Sequence, residues 1–258
     1  MTSSDEQSAR AWLDGRGLPD APVTDLLGAR LAARRRARIA DALVLAALII
    51  VASLAQAASL NDSWSHRLVL LVLAAATAGL LVARLLIARR LAAADRRAGA
   101  ALPRRAAHAV KPGWRVVLGR AHAAFGLVTL SIAVVLALSA LTVPDALVRQ
   151  GAVILLVAVL GVAAGTAVQL RQLLTSPVVA EDETSLTVDV IMRIEDARES
   201  TAPSVLWTLP VVLLCGFAPL WWNVAAFGAV ALGVAATALI HVRTPASLAT
   251  ARQAMIVR

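Results

Sequence analysis

Tyrosine is absent from this chain, and cysteine and lysine each occur only once, as Cys215 and Lys111. A single cysteine excludes an internal disulfide bond and any metal site built from several cysteines. Cys215 lies inside an apolar run, where a free cysteine packs as a small buried residue. Neither a disulfide framework nor a cysteine-based metal centre is therefore expected.

Charged residues are also scarce, at 16% of 258 residues, whereas hydrophobic residues reach 59%. A soluble domain carries about 25% charged residues. The apolar residues are concentrated in long, nearly uncharged blocks, and a block of about 20 such residues spans the hydrocarbon core of a bilayer. The composition therefore predicts an integral membrane protein. Arginine supplies all but one of the 25 basic residues, a bias that is typical of a high-GC bacterial genome.

Six apolar runs have the length and continuity of membrane-spanning helices. Only helices and closed barrels satisfy backbone hydrogen bonds in lipid, and continuous rather than alternating runs favour helices. We therefore predict an all-α, polytopic membrane protein in which the six helices form three antiparallel hairpins. The predicted spans are 39–60, 68–88, 123–143, 151–170, 205–222 and 224–242.

Arginine and lysine are distributed unequally among the segments outside these spans. Nearly all of them lie in four segments, namely 1–38, 89–120, 171–204 and 243–258. The intervening loops hold only Arg67 and Arg149. Because short segments rich in these residues stay in the cytoplasm, we expect both termini to be cytoplasmic. The transmembrane domain, residues 39–242, would then lie in the inner (cell) membrane.

Small residues at helical spacing mark candidate contacts between the spans, because close approach of helices in lipid depends on them. Gly161 and Gly165 form a GxxxG pattern in the fourth span, and Ala229 and Gly233 have the same spacing in the sixth. Pro210, in the fifth span, removes a helical hydrogen bond and is expected to bend the helix. A packing kink is one interpretation of Pro210; a bend that lines a transport site is the other.

Recognisable catalytic patterns are missing from the sequence. It contains no motif of a metalloprotease, a serine hydrolase or a P-loop NTPase. Ionisable residues within membrane spans are the usual functional candidates, but Asp41, Arg84, His122 and His241 all lie near span ends. The arginine runs flank the spans, where membrane topology accounts for them. We therefore expect no enzyme activity, no cofactor, no metal and no nucleic-acid partner.

The densest run of acidic residues in this basic chain lies between the fourth and fifth spans. Segment 171–204 holds seven acids and three arginines, whereas segment 89–120 holds nine basic residues and one acid. Acids followed by Thr184 and Ser185 favour a helix N-terminus, and apolar residues then recur at helical spacing. We therefore predict a short amphipathic helix over about 185–199.

This helix is the candidate docking element of the sequence. Anionic lipid head groups repel its acids, so we expect its apolar face to meet protein while its acids meet cations at the rim. Either the chain's own basic segment 89–120 or a separate cytoplasmic protein fits this description. The candidate docking residues are Leu186, Asp189, Val190, Ile194, Glu195 and Asp196.

The polar N-terminal segment is expected to contain two further helices. Ser4 begins a capping-box pattern, which predicts a helix that runs through Leu13 and ends at Gly15 or Gly17. Thr24 favours the start of a second helix, which continues through the arginines into the first span.

These features together resemble the general plan of ABC-type permeases. That plan combines six spans, cytoplasmic termini, an elbow-like N-terminal segment and an amphipathic cytoplasmic helix. The resemblance concerns topology alone and implies a membrane transport subunit that works with a cytoplasmic partner such as an ATPase. The very short turn between the fifth and sixth spans departs from permeases that have a large outer loop there. A membrane scaffold or sensor without transport activity is the alternative prediction.

Overall fold

The structure is a computed structural model that describes residues 3–60, 64–100, 114–175, 183–201, 204–244 and 247–256. These residues form α-helices and short connections and contain no β-strand, so the all-α prediction is confirmed. The helices are α1 (Ser3–Asp14), α2 (Asp25–Leu60), α3 (His66–Ala100), α4 (Trp114–Val117), α5 (Gly119–Leu141), α6 (Ala146–Thr175), α7 (Glu183–Thr201), α8 (Ser204–Leu214), α9 (Leu220–Arg243) and α10 (Ser247–Ile256).

Within the described ranges, five helices are long and apolar enough to cross a membrane, namely α2, α3, α5, α6 and α9. Large apolar side chains on these helices are exposed; Leu43, Leu71, Leu127 and Leu232 each leave more than 60% of their surface uncovered. A contiguous apolar surface of this kind marks contact with lipid or with another protein. The five helices fit a multi-pass membrane protein, as the composition predicts.

The predicted fifth span is not a continuous helix. Residues 205–222 divide into α8, which ends at Leu214, a turn over 215–219 and the first residues of α9. α8 has 11 residues, which gives a length of about 16 Å, roughly half of the hydrocarbon thickness of a bilayer. Gly216 in the turn has a φ of 90°, a left-handed conformation that glycine adopts readily. The unbroken hydropathy of the run gives no signal for this interruption.

Contacts from neighbouring helices stabilise the end of α8 and the turn after it. The last carbonyl groups of a helix lack partners within the helix. The side-chain N–H of Gln56, on α2, donates to the carbonyl oxygen of Val212 at 3.0 Å. Beyond the turn, the indole N–H of Trp222 donates to the carbonyl oxygen of Leu136, on α5, at 3.0 Å. Trp222 is fully buried, so it fixes the turn against the bundle instead of anchoring it at a lipid interface.

The main apolar core joins the membrane-spanning helices and α8. α2 and α3 pack antiparallel, because Asp41 pairs with Arg84 at 3.1 Å while Arg30, earlier in α2, pairs with Asp95, later in α3. α3 then contacts α6, and α2 contacts α8. The chain therefore divides into an N-terminal part, α1–α3, and a C-terminal part, α4–α10, which meet along these helices.

Two smaller apolar clusters enclose α7 at one end of the bundle, which we call the polar end. In the first, Val188 and Met192 of α7 pack against α1 and the start of α2. In the second, Val190 and Ile194 pack against Ala251 of α10. The helix predicted over 185–199 is thus confirmed as α7, and its bounds extend two residues further on each side. Residues 188–194 are all buried, so this part of α7 lacks the exposed polar face that was predicted.

The two helices predicted in the N-terminal segment are also confirmed. α1 ends at Asp14, and Gly17 in the following turn has a φ of 71°. The backbone N–H of Leu27 donates to the hydroxyl of Thr24 at 3.2 Å, which is the capping contact expected at the start of α2. α2 then continues without a break through the arginines into the first span.

The two glycines of the predicted GxxxG contact have different surroundings. A Cβ atom on Gly161 would lie 2.7 Å from the end of the Leu81 side chain, so this leucine of α3 packs directly on the glycine of α6. Gly165 is exposed, and no described atom lies within 4 Å of the corresponding position. Gly165 therefore departs from the expectation that both glycines face a neighbouring helix.

The remaining packing candidates lie in the contact between α8 and α9 and in the core. A Cβ atom on Gly233 would lie 2.8 Å from the ring of Trp207, on α8. Ala229 is partly buried against the main core, and Pro210 is buried within α8. The absence of a side chain at Gly233 of α9 thus leaves space for the indole ring of Trp207 on α8.

Candidate functional site: a charge ladder at the polar end

Acidic side chains of α7 face arginines of the N-terminal part in four pairs. The pairs are Arg16–Glu195 (2.7 Å), Arg30–Asp189 (2.6 Å), Arg34–Asp196 (2.8 Å) and Arg38–Glu199 (3.6 Å). Three of these arginines recur every four residues along α2, so they lie on one face of that helix. We call the four pairs the charge ladder.

The two central pairs of the ladder are buried. The side chain of Asp189 is 0% exposed and that of Arg30 is 6% exposed, while Arg34 and Asp196 are 4% and 13% exposed. Buried charges persist in a protein when they are paired and hydrogen-bonded. The Arg38–Glu199 pair, by contrast, is more than half exposed on both sides and contributes little. The stability of the ladder therefore depends on its centre.

Asp189 connects α2 to the C-terminal part of the chain. One of its oxygens accepts a hydrogen bond from Arg30 at 2.6 Å, and the other accepts from Arg193 at 2.8 Å. Arg193 also donates to the carbonyl oxygen of Leu173 at 3.1 Å, one of the last carbonyls of α6 and thus without a partner in its own helix. Hydrogen bonds therefore run without interruption from α2 through α7 to the end of α6.

Asp95, on α3, approaches the same arginines from a different helix. It accepts hydrogen bonds from Arg30 at 3.0 Å and from Arg34 at 3.4 Å. The centre then contains three arginines (30, 34 and 193) and three carboxylates (95, 189 and 196), so its formal charges balance. No cluster with metal-ligand geometry occurs in the described part of the chain. A balanced centre favours the joining of helices over the binding of an ion.

The outer pair of the ladder brings the two ends of the chain together on α7. Arg16 donates twice to the carboxylate of Glu195, at 2.7 and 2.8 Å, a bidentate geometry that strengthens the pair. The guanidinium of Arg16 also lies 4.1 Å from the ring centroid of Trp12, a cation–π contact. Ser247, on α10, donates to Glu195 at 3.2 Å.

Burial changes the proton affinity of one acid in the centre. The pKa of the Asp196 carboxyl is raised by its burial, and the neighbouring Arg34 offsets part of that rise. The carboxylate of Asp95 nearby acts in the same direction as burial. The protonation of Asp196 is therefore coupled to the folding of the polar end.

Most of the predicted docking residues are buried in contacts within the chain. Asp189, Glu195 and Asp196 belong to the charge ladder, whereas Val190 and Ile194 are buried in the cluster shared with α10. Leu186 is half-buried. The chain's own residues therefore cover the predicted docking face, and of the two predicted alternatives docking within the chain describes α7 better.

The surface that receives α7 differs from the one expected within the chain. The expected surface was the basic segment 89–120, of which residues 101–113 lie outside the described ranges. Its described contributions are Asp95, an acid, and the apolar pair Val117 and Leu118, which pack with Ala197. The cations come instead from α2 and from the turn that precedes it. Sequence reasoning assigned these arginines to membrane topology, although their four-residue spacing was visible.

Comparisons with known protein families, with curated proteins and with solved structures find no match to this chain. Its function therefore has to be inferred from its own residues.

Proposed function

We propose that this protein is the membrane subunit of a transport system and that the charge ladder holds its polar end closed. The supporting observation is that each of the four pairs of the charge ladder joins the two parts, with its arginine in the N-terminal part and its acid in the C-terminal part. Arg193 and Asp95, which also lie at the centre, each pair within their own part. Interface ion pairs of this kind break and re-form when two parts of a protein rotate against each other. α7 is enclosed by the chain, so we assign it to this closure and not to a partner ATPase.

Apolar contacts at membrane level support the same division. There the two parts meet through surfaces such as Leu81 on Gly161, which can separate or slide without exposing buried charge. The short helix α8 lies at this boundary and contacts both α2 and α6. Interrupted helices of this kind line the substrate pathway in many transporters. We therefore propose that the pathway runs along α8.

We further propose six crossings with both termini in the cytoplasm. The backbone of Thr201 lies beside Gly126, near the start of α5, whereas Trp222 binds Leu136, near its end. The segment between Thr201 and Trp222 therefore advances along α5 despite the shortness of α8. α10 contacts α7, so α9 returns the chain to the polar end. The excess of arginine at that end supports a cytoplasmic location.

A covalent cross-link across the exposed pair of the ladder tests transport. Arg38 and Glu199 would be replaced by cysteine in a Cys215→Ser background and joined by a short bismaleimide. The matched control joins Asp41→Cys to Arg84→Cys, a pair that lies within the N-terminal part alone. Membrane vesicles that contain each form would be incubated in a metabolite extract, and the solutes that accumulate inside would be identified by mass spectrometry.

If the protein transports a solute, at least one solute should accumulate only in vesicles that contain the protein. That accumulation should stop when positions 38 and 199 are joined and continue when positions 41 and 84 are joined. If no solute requires the protein for its accumulation, the transport proposal is wrong and the alternative function, a membrane scaffold or sensor, is retained. The enclosure of α7 by its own chain fits that second candidate as well, because a scaffold needs a polar end of fixed shape.

A further inference from the structure

Among the exposed arginines of the α2–α3 hairpin that lie outside the charge ladder, four share one level. They are Arg35 and Arg36 on α2 and Arg89 and Arg90 on α3. The pairs Asp41–Arg84 and Arg30–Asp95 agree on the register of the hairpin, and this register places 35–36 at the level of 89–90. None of the four makes an ion pair within the described part of the chain. We call them the arginine belt.

Exposed apolar residues adjoin the belt on both helices. On α2, Ile39 and Leu43 are 51% and 64% exposed; on α3, Leu85 and Leu86 are each 47% exposed. The accessible surface thus changes from arginine to apolar over about one helical turn, or roughly 5 Å. Such a change is expected where head groups of a bilayer give way to acyl chains.

We infer that the arginine belt binds the head group of an anionic phospholipid. Guanidinium groups bind phosphate oxygens through paired hydrogen bonds. Four cations at one level therefore favour a head group whose net charge is negative. A zwitterionic head group carries an ammonium that the same arginines repel. A soluble phosphate or a nucleic acid would satisfy the arginines but not the apolar residues beside them, whereas a lipid satisfies both.

Bound lipid would act on a different face of α2 from the charge ladder. Arg34 points into the ladder and is buried, while its neighbours Arg35 and Arg36 are exposed. A head group on the belt would therefore fix the depth of the N-terminal part in the membrane without entering the buried centre. The inference does not depend on transport, because a scaffold would bind the lipid in the same way.

Lipid titration of the full chain tests this inference. Phosphatidylglycerol would be added to the protein in phosphatidylcholine–detergent micelles, and retained lipid would be counted by native mass spectrometry. Each arginine near an anionic surface adds about fivefold to affinity. The double variant Arg36→Gln/Arg90→Gln should therefore retain phosphatidylglycerol with about 25-fold weaker affinity.

Matched variants separate the belt from general effects of charge. Arg67→Gln/Arg149→Gln removes two exposed arginines at the opposite end of the bundle and should bind like the parent. If circular dichroism shows that the belt variant is unfolded, Arg35→Gln/Arg89→Gln repeats the test at the same level. The inference is overturned if a folded belt variant binds like the parent, or if the control loses as much affinity. Equal retention of phosphatidylcholine, or equal competition by soluble glycerophosphoglycerol, would also overturn it.

Discussion

Asp189 and Glu199 show the two extremes of charge pairing on one helix. Asp189 has no exposed side-chain surface and holds two arginines, whereas Glu199 holds one arginine at 3.6 Å and is 54% exposed. Loss of the charge at Asp189 would leave Arg30 and Arg193 buried beside a neutral group. Loss of the charge at Glu199 would leave Arg38 in water. The same type of substitution therefore has different consequences at the two residues.

Asp189→Asn should lower the free energy of local unfolding of α7 by about 3–5 kcal/mol, the usual cost of breaking a buried pair. Glu199→Gln should lower it by less than about 1 kcal/mol. Hydrogen–deuterium exchange of the full chain in micelles measures this quantity for the α7 amides. Exchange should accelerate roughly 100-fold or more in Asp189→Asn, given a tenfold change per 1.4 kcal/mol. Equal exchange rates in the two variants would show that the buried centre does not hold α7.

Asp196 should make the stability of the polar end depend on pH. Burial raises the pKa of this carboxyl in the folded protein, so the folded state binds the proton more tightly than the unfolded chain. Its stabilising contribution is complete below the unfolded pKa of about 4 and is lost as the pH rises through the folded pKa.

The variant Asp196→Asn removes this titration and leaves the others in place. The melting temperature of the parent minus that of the variant should therefore fall as the pH is raised from about 4 towards neutrality. Thermal melting in micelles across that range measures the difference. A difference that rises with pH would mean that Arg34 outweighs burial and that the carboxylate stabilises the fold when charged.

At the scale of helices, periodicity and caps in the sequence predicted most elements, whereas tertiary contacts decided the exceptions. α7 and the start of α2 carry local signals, acids before Ser185 in one case and Thr24 in the other, and both helices form as expected. α8 ends early because Gly216 adopts a left-handed conformation and Gln56 supplies a donor to Val212. Gln56 belongs to a helix far away in sequence, so no sequence pattern near α8 predicts its hydrogen bond to Val212.

The pair Gly161 and Gly165 tests how closely α6 approaches α3. Gly161→Leu would force atoms into Leu81 and should lower the free energy of unfolding by about 1–3 kcal/mol. Gly165→Leu should be neutral or stabilising by up to about 1 kcal/mol, because it faces open space and leucine favours helix more than glycine. Melting temperatures of the two variants in the same detergent provide the comparison. If Gly165→Leu is the more damaging, then α6 packs on a different face from the one described.

At the scale of the whole molecule, the predicted docking face of α7 packs against other helices of the same chain. The sequence identified the acids of α7 as a docking surface and predicted that cations would meet them at the rim. The sequence could not identify those cations, because the positive-inside rule counts an arginine beside a span in the same way whether or not it forms an ion pair. Only the fold distinguishes Arg34, which is buried on Asp196, from Arg35 next to it, which is exposed.

Cysteine labelling tests the proposed six crossings. In a Cys215→Ser background, single cysteines at 14, 100 and 243 should be protected from an impermeant thiol reagent added outside intact cells. Cysteines at 65, 145 and 220 should react, because these exposed positions lie at the other ends of the long helices. If α8 and its turn do not complete a crossing, the labelling of positions 14 and 243 will differ. That outcome would reduce the count to five.

The long separation of the ladder's two sides has a consequence for biosynthesis. Arg30 and Asp189 are 159 residues apart, so at synthesis rates of about 5–20 residues per second the acid emerges roughly 8–30 s after its partner. During that interval the arginines of α2 have no acids of α7 to bind and remain available to orient the first hairpin during insertion. Once α7 emerges, the arginines of the ladder become part of a closed polar end. On the proposed topology, the same side chains would first orient the inserting hairpin and later join the helices of the finished polar end.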